Sequence, residues 1–146
     1  MQVPHNSFVL VADGKKMLFF RNEGDGAFPQ LVVEKKVEQD NPSDLEQKSD
    51  LAGASSGGPT PGRQSFSETD YHQLEEDRFA ADAAEMLKRR ALRNEYDSLI
   101  IVAPPRTLGE LRKHYHKEVE KRISGEIAKD LTGHPVPEIE RILQDH

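Results

Sequence analysis

The sequence of 146 residues contains no cysteine. Disulfide bonds, thiol nucleophiles and cysteine-based zinc sites are therefore excluded, and the lack of thiols fits a reducing compartment. The opening residues, MQVPHNSFVLVAD, also lack the basic segment and the long apolar run of a signal peptide or a membrane-spanning helix. We therefore expect a cytoplasmic protein with no membrane partner.

Common catalytic and metal-binding motifs are missing as well. The chain has neither an HExxH zinc motif nor the G-x-S-x-G turn of serine hydrolases. Two of its histidines, His114 and His116, are close in sequence, but on a helix they would point about 200° apart, which indicates exposed side chains rather than metal ligands. We expect no metal, no cofactor and no catalytic residue, and therefore a non-enzymatic protein.

Acidic residues outnumber basic ones, and the formal net charge is −6. This balance argues against extended, non-specific contact with nucleic acid, so DNA is not an expected partner. It leaves room for one local basic patch, formed by Lys88, Arg89, Arg90 and Arg93.

The strongest structural pattern lies in residues 98–112, SLIIVAPPRTLGELR. Leu99 to Val102 form a continuous apolar run of strand length, which is typical of a strand buried on both faces. After two prolines, Thr107 and Glu110 have the spacing of a capping box and predict the start of an amphipathic helix. Open α/β folds bind ligands where a helix begins beside the carboxyl end of a central strand, so this turn is the main candidate site.

The first forty residues predict a three-stranded meander. Phe8 to Ala12 form a second apolar run, and Asp13-Gly14 is a hairpin signal before a strand over 17–20. A third strand is predicted over 28–37, with one apolar and one polar side, as expected at the edge of a sheet. The apolar side is Leu31, Val33 and Val37, and the polar side is Glu34, Lys36 and Glu38.

Composition changes between residues 39 and 69, which are rich in Ser, Gly, Pro, Asp and Gln. Such a segment buries too little apolar area to offset the entropy of ordering it, so we predict a flexible loop. A long helix capped by Asp70 is predicted next, extending to about Asn94. Its inner side is predicted as Leu74, Phe79, Ala83, Met86 and Leu87, and its outer side as Glu75, Asp82, Glu85 and Lys88.

Residues 119–131 are ambiguous. Apolar residues recur every four positions, as in a helix, but Ile123 to Ile127 also alternate as in a strand. Pro137 then begins a final helix. With the strand, the element order becomes β-β-β-α-β-α-β-α, the ribonuclease H-like plan of a mixed five-stranded α/β sheet flanked by helices. The strand–helix–strand order favours parallel pairing of residues 8–12 with residues 99–103. We expect a single domain over residues 1–146.

That plan prompts a test for metal-dependent nuclease activity, which needs several converging carboxylates. Asp13 ends the first strand, and Glu75, Glu76 or Glu85 could come from the long helix. The second central strand ends in Val-Ala-Pro-Pro and offers no acid. We therefore interpret Asp13 as a turn residue.

Two binding sites are predicted. A guanidinium beside a helix start favours phosphate or carboxylate, which predicts an anion or partner site of Asp13, Arg106, Thr107, Gly109 and Arg112. The alternative is that Thr107 only caps the helix and Arg106 only covers the sheet end. The second site is a loop contact, since its glycines allow close approach to a macromolecule, with a plain linker as the alternative. Its residues are Gly57, Gly58, Gly62, Arg63 and Gln64.

Several segments resemble the bacterial host attachment protein family. The resemblance covers nearly the whole chain and implies a binding or regulatory protein that acts indirectly in bacterial attachment to host cells. It also favours the strand over 123–130. The segments are VLVADG at 9–14, the loop with PGR at 61–63 and SF at 65–66, EEDRFA at 75–80, APPRTLGELRK at 103–113 and EIAKDLT at 126–132.

That family is similar in turn to the middle domain of archaeal and eukaryotic peptide-chain release factors. In those factors a Gly-Gly-Gln loop ahead of the long helix enters the ribosomal peptidyl-transferase centre and assists hydrolysis of peptidyl-tRNA. Here Gly62-Arg63-Gln64-Ser65 stands at the corresponding place, and arginine restricts the backbone where the second glycine would be. The alternative function is a translation-linked factor that contacts ribosome or tRNA in nascent-chain release or rescue.

Overall fold

The structure is a computed structural model that describes residues 1–38 and 68–146. The predicted loop over 39–69, with its candidate contact residues at 57–64, lies outside these ranges except for its last two positions, which belong to a helix. The described elements are β1 (Phe8–Ala12), β2 (Lys16–Asn22), β3 (Leu31–Glu38), α1 (Glu68–Leu92), β4 (Leu99–Val102), α2 (Pro105–Arg112), α3 (Lys117–Glu120), β5 (Ile123–Ile127) and α4 (Val136–Asp145).

The strands form one mixed sheet in the order β3-β2-β1-β4-β5. β2 is antiparallel to both of its neighbours, β1 and β3, whereas β4 runs parallel to β1, with Phe8 opposite Leu99 and Val11 opposite Val102. β5 is parallel to β4, so the ambiguous segment after residue 119 is a strand. The predicted mixed five-stranded α/β sheet is therefore confirmed, with α3 as an additional one-turn helix.

Helices cover both faces of this sheet, which explains the continuous apolar runs of β1 and β4. Alternate residues, such as Phe8 and Leu10, pack beneath α1, α2 and α3. Their neighbours Val9 and Val11 pack on the other face, against Ile139 of α4. Every residue of β1 and β4 is buried because each side chain meets one of these two cores. Within residues 1–38 and 68–146, no helix has the length and apolar character needed to cross a membrane.

A β-bulge changes the predicted sides of β3. The register with β2 shifts so that Lys35 lies opposite Phe19 and Val33 opposite Phe20, which leaves Glu34 as the extra residue. Leu31 therefore packs on the α4 side and Val37 on the α1 side, so the prediction that they share a side is wrong. The strand also begins at Leu31 rather than at residue 28.

Helix starts differ from the predicted ones. α1 has already begun at Glu68, so Asp70 is not its cap, and α1 ends at Leu92. α2 begins at Pro105, whose fixed φ suits the first helical position, and no side chain caps it. Thr107 and Glu110 therefore lie inside the helix and do not form a capping box. α4 begins one residue before Pro137.

At the start of α1, the buried side of the helix also differs from the predicted one. Leu74 is 51% exposed and Glu75 only 6% exposed, the reverse of the prediction. The reason is the helical period, because Glu75 lies one turn before buried Phe79, whereas Leu74 lies about 140° away from Phe79 around the axis.

The bulged residue Glu34 joins β3 to β2 and α1. Its carboxylate accepts hydrogen bonds from Arg21 Nε and from Arg90 Nη1, the latter at 2.7 Å. Burial alone would raise the pKa of Glu34, but the hydrogen bonds and charges of the two arginines outweigh it and hold the pKa below its ordinary value of 4.5. The ionised carboxylate therefore stabilises the fold.

Glu34→Gln should lower the free energy of unfolding at pH 7 by about 1 kcal/mol. A carboxyl whose pKa is lowered on folding stabilises above its unfolded pKa, and this stability is lost as the pH falls through the folded pKa. The difference between variant and wild type should therefore shrink below pH 4.5. Urea unfolding from pH 3 to pH 7 measures it, with the exposed neighbour Glu38→Gln as control; a pH-independent difference would contradict the expectation.

Candidate functional site

The turns that follow the two central strands emerge at the same edge of the sheet, which we call the rim. There Asp13, Gly14, Glu76, Thr107 and Glu110 line a small cleft between β1, α1 and α2. Its free volume is about 10 Å³, room for about one water molecule. The structure thus brings Asp13 and Thr107 together as the parallel pairing requires, but it leaves no space for a phosphate between them.

Asp13 is held by the hairpin turn that it begins. Its Oδ1 accepts hydrogen bonds from the backbone N–H groups of Lys15 and Lys16, both at 2.7 Å. Its Oδ2 accepts a hydrogen bond from the Thr132 hydroxyl at 3.0 Å, which ties this turn to the segment after β5. Asp13 is therefore a turn residue, as interpreted from the sequence, and Thr132 is a partner that the sequence did not reveal.

Arg106 connects α2 to the first turns of α1. Its Nε lies 3.1 Å from Glu76 Oε2, and its Nη2 donates to the side-chain oxygen of Gln73. Gln73 in turn donates to Glu110, whose side chain is 11% exposed. Because the Glu76 carboxylate already pairs with this guanidinium, its charge is partly compensated before any anion arrives. The anion site stays a prediction, and the pairing weakens the case for it.

Gly109 and Arg112, two other residues of the predicted anion site, do not line the cleft at the rim. Gly109 is the fifth residue of α2, so in regular helical geometry its N–H bonds to the carbonyl of Pro105 rather than to a ligand. Arg112 donates to both carboxylate oxygens of Glu126 on β5, at 3.0 and 3.3 Å. Arg112 therefore connects α2 to the sheet and is not brought together with Arg106.

His114 and His116, the two histidines that closely follow α2, have structural partners. His114 Nε2 lies 3.0 Å from Asp77 Oδ1, and this hydrogen bond is the main reason why the pKa of Asp77 lies below its usual range. His116 Nδ1 accepts the backbone N–H of Glu118 and so caps α3. Both side chains are half-buried rather than exposed, because each contacts a neighbouring element or its own helix start.

Two described elements, β3 and α1, flank residues 39–67, which lie outside the described ranges. On one side, Glu38 ends β3 opposite Lys16, beside the Asp13 turn. On the other side, α1 begins at Glu68, and its first turns contact Arg106 through Gln73 and Glu76. The end of β3 and the first turns of α1 therefore both lie close to the rim.

Arg106→Ala tests the predicted anion site. Because Arg106 is exposed and already paired, we expect the affinity for inorganic phosphate to change less than about twofold and the free energy of unfolding to fall by less than about 1 kcal/mol. Isothermal titration and urea unfolding measure the two effects. A tenfold loss of phosphate affinity with unchanged stability would instead establish the anion site.

The family model of the Bacterial archaeo-eukaryotic release factor family 12 matches residues 6–143, which include the rim and all five strands of the described sheet. The chain belongs to this family. The match confirms the release-factor relationship predicted from the sequence. It gives no support to the host attachment family as the chain's own family.

Individual relatives cover the chain less completely. A protein of Rickettsia prowazekii (strain Madrid E) that is described as uncharacterized is 33% identical over 86 residues, which are 58% of this chain and 57% of that protein. The solved structure of an archaeal translation termination factor is 11% identical, with a TM-score of 0.47, over 95% of this chain and 37% of that one. A second structure, of an archaeal protein, is 12% identical with a TM-score of 0.44, over 95% of this chain and 36% of the other.

Proposed function

We propose that the protein acts in translation, by contacting the ribosome or tRNA during release or rescue of a nascent chain. The observation that carries this proposal is the match of a release-factor family over residues 6–143. Such a protein works in the cytoplasm, where ribosomes are. We further propose that residues 1–146 form one domain, since both cores are built on the same sheet.

The geometry of the rim supports this function. The candidate contact residues of the segment, Gly57 to Gln64, precede α1 closely in sequence. The start of α1 is fixed to α2 by the contacts of Arg106 with Gln73 and Glu76. A helix of 25 residues anchored in this way gives the segment a rigid base. We propose that the predicted rim residues contribute to function by fixing the start of α1, which follows the candidate contact residues in sequence.

The chemistry of the segment points to ribosome association more than to rapid hydrolysis. Gly62 and Gln64 stand where the release factors have the first glycine and the glutamine of their Gly-Gly-Gln loop. Arg63 between them adds a positive charge that suits RNA, but its Cβ disfavours backbone conformations that glycine adopts freely. We therefore expect binding to be retained and peptide release to be slow.

Co-sedimentation with purified bacterial ribosomes tests the binding. We expect the wild-type protein to sediment with ribosomes and a variant lacking residues 57–65 to remain in the supernatant. Gln64→Ala should weaken binding at least threefold, whereas Gln47→Ala, in the same segment but outside the contact residues, should not change it. Absence of wild-type binding, or binding indifferent to the deletion, would contradict the proposal.

Peptidyl-tRNA release on stalled ribosomes tests the role of Arg63. Arg63→Gly restores a Gly-Gly-Gln sequence and should raise the release rate at least tenfold, since it removes the restriction on the backbone. Arg63→Ala removes the same charge but keeps a Cβ, so it should leave the rate within about twofold of the wild type. An equal rise in the release rate of both variants would show that the charge of Arg63, not backbone freedom, limits release.

A further inference from the structure

A second surface, which we call the basic cleft, lies between β3 and the last turns of α1. Its volume is about 170 Å³, and it is lined by four cationic side chains and one methionine: Lys35, Met86, Arg89, Arg90 and Arg93. A rise of about 1.5 Å per residue places Arg89 about 24 Å from Gln73 along α1. The basic cleft is therefore remote from the rim.

The bulge in β3 helps to form this cleft. Since Lys35 lies opposite Phe19, whose side chain packs beneath α1, Lys35 projects from the face of the sheet that α1 covers. Glu34 holds Arg90 in place at 2.7 Å, and the Arg90 guanidinium lies 5.2 Å from the centre of the Phe8 ring. Arg90 is thus a fixed wall of the cleft, with only 18% of its side chain exposed.

Arg89 and Arg93 are the exposed cations of the cleft. Their side chains are 62% and 74% exposed. Among the described residues their paired carboxylates are Glu85 and Glu95, which lie 3.9 and 4.0 Å away, too far for a strong hydrogen bond. Within residues 1–38 and 68–146, Lys35 has no carboxylate at ion-pair distance. Three cations therefore face the cleft with most of their donors uncommitted.

Stabilisation of a helix end accounts for only part of this arrangement. Arginines in the last turn of a helix interact favourably with its dipole, which explains Arg89 and Arg90. It does not explain Lys35, which comes from a strand and meets the same opening. The volume of about 170 Å³ far exceeds the roughly 10–15 Å³ that one water molecule needs by the same measure, so the cleft has room for a partly hydrated phosphate group.

We propose that the basic cleft binds backbone phosphate groups of single-stranded RNA. A guanidinium group can donate two parallel hydrogen bonds to the oxygens of one phosphate. The apolar side chain of Met86 offers a surface for a ribose or base beside these arginines. The phosphate chemistry follows from the cleft itself, while the choice of RNA as the carrier rests on the proposed function in translation. The cleft gives the protein a second RNA contact, independent of the candidate contact residues at 57–64.

Titration with a fluorescent twelve-nucleotide RNA and with inorganic phosphate tests the proposal. The double variant Arg89→Gln, Arg93→Gln should bind the RNA at least tenfold more weakly than the wild type. Its plot of log affinity against log salt should be shallower by about 1.4, because each phosphate contact to a single strand contributes about 0.7 to the slope. Both changes are at exposed positions, and circular dichroism checks that the variant folds.

Arg141→Gln is the matched control. Arg141 is 68% exposed and lies 3.8 Å from Glu138, so it resembles Arg89 in exposure and pairing but lies on α4. Its loss should change RNA affinity less than about twofold. Equal losses in the control and the double variant, or no RNA binding by the wild type, would overturn the proposal. Binding of inorganic phosphate without RNA would overturn the assignment to RNA.

The result of the RNA titration can be distinguished from the result of the ribosome co-sedimentation that tests the proposed function. The RNA titration contains no ribosomes, and deletion of residues 57–65 leaves every residue of the basic cleft in place. Loss of RNA binding in the double variant together with no ribosome sedimentation by the wild type would retain the cleft and reject the ribosomal role. Ribosome binding by the wild type, together with unchanged RNA affinity in the double variant, would retain the ribosomal role and reject the cleft as an RNA site.

Discussion

Parallel pairing of β1 with β4 is the interaction on which the rest of the structure depends. Both strands are buried on both faces, and their carboxyl ends lie side by side at the rim. A parallel pair needs a long crossover connection, and α1 runs back across the sheet before β4 begins. The first turns of α1 therefore lie at the rim and its last turns at the opposite end of the sheet.

This crossover separates two kinds of electrostatic surface. At the rim, Arg106 is matched by Glu76 and by the amide of Gln73, beside the carboxylates of Asp13 and Glu110. At the other end, cations from β3 and α1 exceed the acids close to them. A chain with a formal net charge of −6 thus keeps a positive surface at the end of the sheet remote from the rim.

The sequence predicted the sheet well because continuous apolar runs leave few alternatives for β1 and β4. It failed at the helix starts, where Pro105 began α2 before the expected cap at Thr107. It also failed for the sides of β3, because the bulge at Glu34 breaks the alternation on which that prediction relies. Neither the pairing of Arg106 nor the meeting of Lys35 with Arg89 follows from sequence spacing, since both require distant segments to pack.

The bulge in β3 has a further consequence for how copies of the chain meet. β3 is the outermost strand of the described sheet on its side, and Val32 and Val33 are 42% and 48% exposed. A straight, apolar outer strand is a template for strand addition and aggregation. The irregular backbone at Glu34, followed by two lysines, interrupts the hydrogen-bonding row that an incoming strand would need. The same irregularity that brings Lys35 to the basic cleft therefore discourages two sheets from joining edge to edge.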